Sequence, residues 1–313
     1  MTSEKDYLRI FALAAAVAIL ASSVSFCKAA SMSGSPLALG FTAVLVTATI
    51  VYITRRRYSD NGNKLLAPLL YLVLATSSPC FPNFSQQHLA AILCSMSFLM
   101  LIDFSKSPDK KLSFAMASLT LVASAVFWPP LMWMAPVYLL IGVIRSGEKM
   151  KVAFSLILAA VTPVLIYFAV MYLLDNLDAG VQIVSAKLEQ SITLESRHYV
   201  HLSMPTILKY LVIATGIFSA SLRILFNMHI PAISERWTYL ITVVIAFSII
   251  GICLVFYPVA GRAVTMVACP LSSLLLAEHI SGLKTEKASR IYLFLLITTA
   301  FAERIYDFKL DIL

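Results

Sequence analysis

Between residues 175 and 204 the sequence gathers two carboxylates three positions apart, Asp175 and Asp178, followed by Lys187, Glu189, Glu195, Arg197, His198 and His201. Lys209 and Arg262 fall nearby, at ends of apolar runs expected on the same side of a membrane. A carboxylate beside cationic groups suits transfer from a lipid phosphate. The cations hold the anionic leaving group, and the carboxylate takes a proton from the acceptor. Asp175 and Asp178 are therefore the candidate catalytic residues, and Arg262, Arg197, His201 and Lys209 the candidate lipid-phosphate ligands. Arg262 leads that set because a guanidinium can make two parallel bonds to phosphate oxygens. A solvated loop of this length would carry the same residue types without any reaction, so both readings stand. His198 and His201 are spaced i, i+3 with Glu195 one turn earlier, but no further ligand is spaced to complete a metal site. No metal and no cofactor is expected. No G-x-S-x-G, H-E-x-x-H or phosphate-loop signature is present.

The elements that must position these groups follow from composition. Hydrophobic residues make up 60% of the 313, charged residues 13%, and the mean hydropathy is +0.87. Soluble chains are about 45–50% apolar. Apolar runs at 8–26, 36–54, 65–78, 86–102, 112–128, 131–144, 152–174, 205–222, 237–257, 262–281 and 291–306 predict an all-α polytopic transmembrane bundle of about 11 spans (roughly 10–12), since each crossing needs about 20 residues. That leaves no room for a soluble catalytic domain. Residues 1–313 read as a single integral membrane domain. The last run is short, because Glu303 and Arg304 interrupt it.

The loops alternate in charge. One set carries Lys5 and Arg9; Arg55, Arg56, Arg57 and Lys64; Lys106, Lys110 and Lys111; Arg145, Lys149 and Lys151; Arg223 and Arg236; and Lys284, Lys287 and Arg290. The other holds only Lys28, Lys187, Arg197, Lys209, Arg262, Arg304 and Lys309. The positive-inside rule puts the richer set, and the N-terminus, in the cytoplasm. The net charge of +8 is then a topology signal, and no basic-aromatic stretch suggests a nucleic-acid partner. Lys5 and Arg9 before Ile10–Leu20 resemble a signal peptide. An uncleaved first span is the reading adopted, because Phe26 precedes Cys27 where a lipoprotein signal needs a small residue. Cys27, Cys80, Cys94, Cys253 and Cys269 are scattered and read as buried thiols.

Phe127-Trp128-Pro129-Pro130 is too short for a loop and predicts a tight outer hairpin, with Phe127, Trp128 and Trp133 as an interfacial aromatic belt. Pro79-Cys80-Phe81-Pro82 predicts a second, rimmed by Asn83, Ser85, Gln86, Gln87 and His88. Within the outer loop 175–204, Leu177, Val181, Val184, Leu188 and Ile192 recur at helical spacing, which predicts an amphipathic surface helix. Asp103, Glu278 and His279 read as solvated inner helix ends. Glu303, Arg304 and Asp307 read as a tail or a partner contact.

The stretch Ser118–Asn176 combines an aromatic-Pro turn, a short apolar helix, a basic turn and Thr162-Pro163 in the next helix. It resembles an uncharacterised family of multi-pass envelope proteins from Bacteroidetes. It is more distantly similar to the membrane part of GT-C glycosyltransferases, which use polyprenyl-phosphate sugars. That family keeps its catalytic acid in the first outer loop. Here that loop, Cys27–Ser35, has no Asp or Glu. No catalytic residue is carried over, and an acid would have to come from Asp175 or Asp178.

Two functions follow as expectations. One is a GT-C-like enzyme or binding protein for a lipid-linked, polyprenyl-phosphate precursor at the outer face of the bacterial inner membrane. The other is a non-catalytic subunit of an envelope assembly or secretion complex, its partners being membrane lipids and other membrane subunits. A transporter is disfavoured by the scarcity of acidic residues within the apolar runs.

Overall fold

A computed structural model describes residues 35–58, 63–78, 81, 84–107, 111–146, 149–192, 203–226, 233–260, 265–283 and 285–310. Among them there is no strand. The helices are α1 Ser35–Tyr58, α2 Leu66–Ser77, α3 Gln86–Lys106, α4 Lys111–Phe127, a 3-10 segment Pro129–Met134 running into α5 Ala135–Arg145, α6 Lys149–Leu173, α7 Leu177–Ile192, α8 Met204–Phe226, α9 Ile233–Ala260, α10 Thr265–Ser281 and α11 Glu286–Leu310. Every expected span from 36–54 onward coincides with one of these; the run 8–26 lies outside the described residues. Among the described residues five helices are long and apolar enough to cross a membrane: α1, α3, α6, α8 and α9.

Hydroxyls within these apolar helices are accommodated by bonding back one turn. Thr47, Thr54, Ser95, Ser118 and Thr242 each donate to the carbonyl four residues earlier, which satisfies these hydroxyls within their own helices. Others join helices. Ser97 donates to the Ala117 carbonyl at 2.6 Å and shares a bond with the Tyr138 hydroxyl at 2.8 Å, tying α3 to α4 and α5. Ser105 bonds Thr238 at 2.9 Å, tying α3 to α9.

The α3–α4 pair is the centre. α1 packs on α2 and α3, α10 packs on α2, α3, α8 and α9, and α11 lies along α8. The core runs from Val44 through Phe98, Phe104 and Tyr138 to Leu275 and Leu296. α6 is peripheral, its main packing among the described residues being on α4, α5 and α7, and its apolar side chains are largely exposed.

The double-proline turn differs from the expected belt. Pro129 and Pro130 begin the 3-10 segment, and Trp128 before them is extended, as the residue before proline must be. Trp128 is 4% exposed and belongs to the core, whereas Trp133 is 56% exposed. At the second hairpin, the Ser85 N–H donates to His88 Nδ1 at 3.2 Å, a capping arrangement that starts α3.

Candidate functional site

The charged groups gather at the two ends of the bundle. At one end Arg55 of α1 pairs with Glu278 of α10, and Arg223 of α8 donates to the Glu278 carbonyl. Arg57 pairs with Asp103, Lys106 donates to the Arg57 carbonyl, and Arg145 donates to the Ser105 carbonyl while lying 5.5 Å from the Trp237 ring. All of these residues come from the loops that the sequence assigned to one side. Arg55 is 1% exposed, so its partnership with Glu278 is a buried contact; the Arg57–Asp103 pair is partly exposed and contributes little. Glu278 and Asp103, expected as solvated ends, are thus engaged by arginines from other helices. A Cβ at Gly282 would collide with the Arg223 guanidinium, so glycine is what lets Arg223 close over the end of α10.

Toward the other end, Lys209 of α8 pairs with Glu303 of α11. Both are buried, at 4% and 0% exposure. Lys209 Nζ lies 5.1 Å from the Tyr210 ring, and Glu303 Oε1 has no hydrogen-bond partner among the described residues. Lys209 was a candidate phosphate ligand; the structure gives its charge to a carboxylate. Glu303, read as a tail residue, lies inside a helix that continues to Leu310. A rule could have joined them: opposite charges within apolar helices are stable only in pairs.

Beside this pair is a cavity of ≈ 570 Å³ between α8 and α9. The two helices touch sparsely, but each packs well on α10, so α10 forms the floor of the gap. Ile213, Ile217, Phe218, Phe247, Ile250 and Leu254 make it apolar, with Leu74 of α2 behind. Phe218 and Leu254 stand exposed on its rim, so the groove opens on the flank of the bundle. Tyr210, Tyr257, Thr265 and Cys269 lie toward one end, and Thr215 and Ser272 add hydroxyls further along. Tyr210 lines the groove and its ring lies 5.1 Å from Lys209 Nζ, so the ion pair adjoins this end. Cys94, Cys253 and Cys269 are buried thiols, as their spacing suggested.

The expected acids are elsewhere. Asp175 and Asp178 are exposed at the corner between α6 and α7. Asp175 adopts a left-handed backbone conformation, φ 53°. Its N–H donates to the Tyr172 carbonyl at 3.1 Å, and the Asn176 N–H donates to Met171 at 3.0 Å. This pair of bonds closes α6 in a Schellman motif with Asp175 where glycine is usual. Asp178 lies in the first turn of α7, where the helix dipole favours a carboxylate. Gly180 allows α7 to fold back on Met171; a Cβ there would lie 3.0 Å from Met171 Cγ. α7 packs on the 3-10 segment and α6, away from the groove. The amphipathic helix is present, but its stripe residues Leu177 and Val181 are exposed. Arg197, His198, His201 and Arg262 lie outside the described residues, as do Cys27 and Cys80. Among the described residues no cluster of His, Cys, Asp or Glu could hold a metal ion.

No curated protein and no solved structure matches this sequence. A protein family does, over residues 4–308. With nearly the whole length matched, the chain belongs to the family of unknown function DUF6427.

Proposed function

We propose that the protein is a multi-pass integral protein of the bacterial cytoplasmic membrane, with its N-terminus inside. In this reading it binds a lipid-linked, polyprenyl-phosphate type of envelope precursor at the outer face. The single observation that carries this is the α8–α9 groove. It is mostly apolar, opens sideways, and has the hydroxyls of Tyr210, Tyr257 and Thr265 at one end. A long isoprenoid chain needs the first two properties, and a polar head group needs the third. Arg262, two residues beyond the last residue of α9 in the sequence and outside the described residues, is the candidate cation for the phosphate in this reading. The arginine-rich end formed around Arg55 and Glu278 is cytoplasmic by the positive-inside rule, which puts the tyrosines outside.

Binding is favoured over transfer. The carboxylate nearest the groove, Glu303, is held by Lys209, and Asp175 and Asp178 cap helices on another part of the bundle. A non-catalytic subunit role is supported by α6, whose apolar surface is broadly exposed and could be covered by a partner helix. The likeness to GT-C proteins rests on sequence motifs alone.

The test uses full-length protein in nanodiscs with a photoactivatable polyprenyl phosphate and the corresponding neutral polyprenol. Labelling should map to α8 and α9. Leu254→Trp, which fills the groove from an exposed position, should abolish labelling by both probes. Arg262→Ala should weaken only the phosphate. Scattered labelling that Leu254→Trp leaves unchanged would remove the groove as the site.

A further inference from the structure

A second groove, independent of the first, lies between α4 and α6, with a volume of ≈ 610 Å³. We propose that it binds one anionic diacyl phospholipid, with the phosphate at Lys151, an ester carbonyl at the Ser155 hydroxyl, and an acyl chain along Met116, Leu119 and Leu158.

The argument begins with the order of residues along α6. Lys151, Ser155, Leu158 and Thr162 all line the groove at helical spacing. Read from the start of α6, this stripe runs from cation to hydroxyl to apolar side chains, the order of groups in a phospholipid. From Lys151 to Thr162 the helix rises about 17 Å at 1.5 Å per residue, against about 15 Å for one leaflet of hydrocarbon. The groove therefore has the depth of a single leaflet.

The second observation is the Ser155 hydroxyl. It is buried and has no hydrogen-bond partner among the described residues. Thr162, further along the same stripe, donates to the Leu158 carbonyl at 2.7 Å, the usual solution in an apolar helix. Ser155 leaves its donor unused one turn from Lys151, at the depth where a glycerol ester carbonyl would sit beneath a phosphate. An unsatisfied buried donor costs free energy that an acceptor on a ligand recovers.

Charge selects the head group. None of the described residues lining the groove is acidic, and in the sequence around the two helix starts Lys110, Lys111, Lys149 and Lys151 outnumber Asp109 and Glu148. α4 begins at Lys111, α6 begins at Lys149, and neither has an acidic residue in its first turn. Because α5 returns the chain between them, α4 and α6 run in the same direction and both basic starts lie at one mouth. The N-terminal dipoles of the two helices add to that field. A zwitterionic lipid would bring its own cation into this mouth; an anionic one would not.

The experiment is native mass spectrometry of the full-length protein, released from detergent micelles supplemented with phosphatidylglycerol and phosphatidylcholine of identical chains at equal amounts. Phosphatidylglycerol adducts should dominate. Lys151→Gln should cut that preference about fivefold, the weight of one basic side chain against an anionic surface. Met116→Trp, or Leu158→Trp as a second exposed position, should remove both lipids while the melting temperature holds. Inorganic phosphate should neither bind nor compete. Equal retention of the two lipids, or a preference that Lys151→Gln leaves intact, overturns the proposal. So does displacement by inorganic phosphate, which would mark a free-anion site. Dimer peaks lost in Met116→Trp would give the groove to a second copy of the chain and also overturn it.

Discussion

Glu303 and Lys209, ninety-four positions apart in the chain, meet as a buried ion pair that locks the end of α11 against α8. Neither charge reaches solvent, so each depends on the other. Removing one partner should therefore destabilise strongly, by about 3–5 kcal/mol, because the survivor is left buried and uncompensated. We expect both Glu303→Gln and Lys209→Met to lower the melting temperature of the detergent-purified protein. Lys209→Met combined with Glu303→Leu should recover most of the loss. If the double variant is as unstable as the singles added together, the pair is not the source of the effect.

Asp175 is expected to act through its backbone. A left-handed conformation costs an ordinary L-residue about 1–2 kcal/mol and glycine almost nothing. Asp175→Gly should keep or raise the melting temperature, and Asp175→Val should lower it. Lipid-phosphate labelling should be unchanged in Asp175→Gly. Loss of labelling in this well-folded variant would return Asp175 to the list of functional residues.

Gly216 sits where α8 meets α11 and α10. A Cβ there would strike the Tyr292 hydroxyl and Leu276, and that hydroxyl donates to the Val212 carbonyl at 2.7 Å. Small residues at such crossings let helices approach closely. Gly216→Ala should cost about 1–3 kcal/mol through overpacking. Adding Tyr292→Phe, which deletes the colliding oxygen, should return part of it. Thermal melting of the two variants settles the order; no recovery would place the clash at Leu276.

The orientation can be read by cysteine accessibility in a variant without native cysteines. A cysteine at Met150, beside the basic start of α6, should react only after the membrane is opened. One at Ser185 on α7 should react in cells whose cytoplasmic membrane is intact and exposed to the reagent. The reverse pattern at either site would break the charge-based assignment.

From residue 35 onward, the positions of the described helices were legible in the chain's apolar runs. Runs such as Leu66–Ser77 and Trp237–Tyr257 are strongly apolar and free of charge, and prolines or charges mark most of their ends. Loop charge also sorted the helix ends into two sets, and the arginine contacts at one end join residues of a single set. The amphipathic stripe of α7 was legible because one face differs from the other. What the sequence could not supply was which helix lies beside which. In a soluble protein the apolar face of a helix points to its neighbours; in these helices nearly every face is apolar, so burial leaves no periodic mark. That is why Trp128 read as a belt residue and is core, why Glu278 read as a solvated end and is held by Arg55, and why Tyr210 and Tyr257 were not joined into a site. The α8–α9 groove exists because both helices pack on α10 and little on each other, a property of three helices together that no single segment encodes.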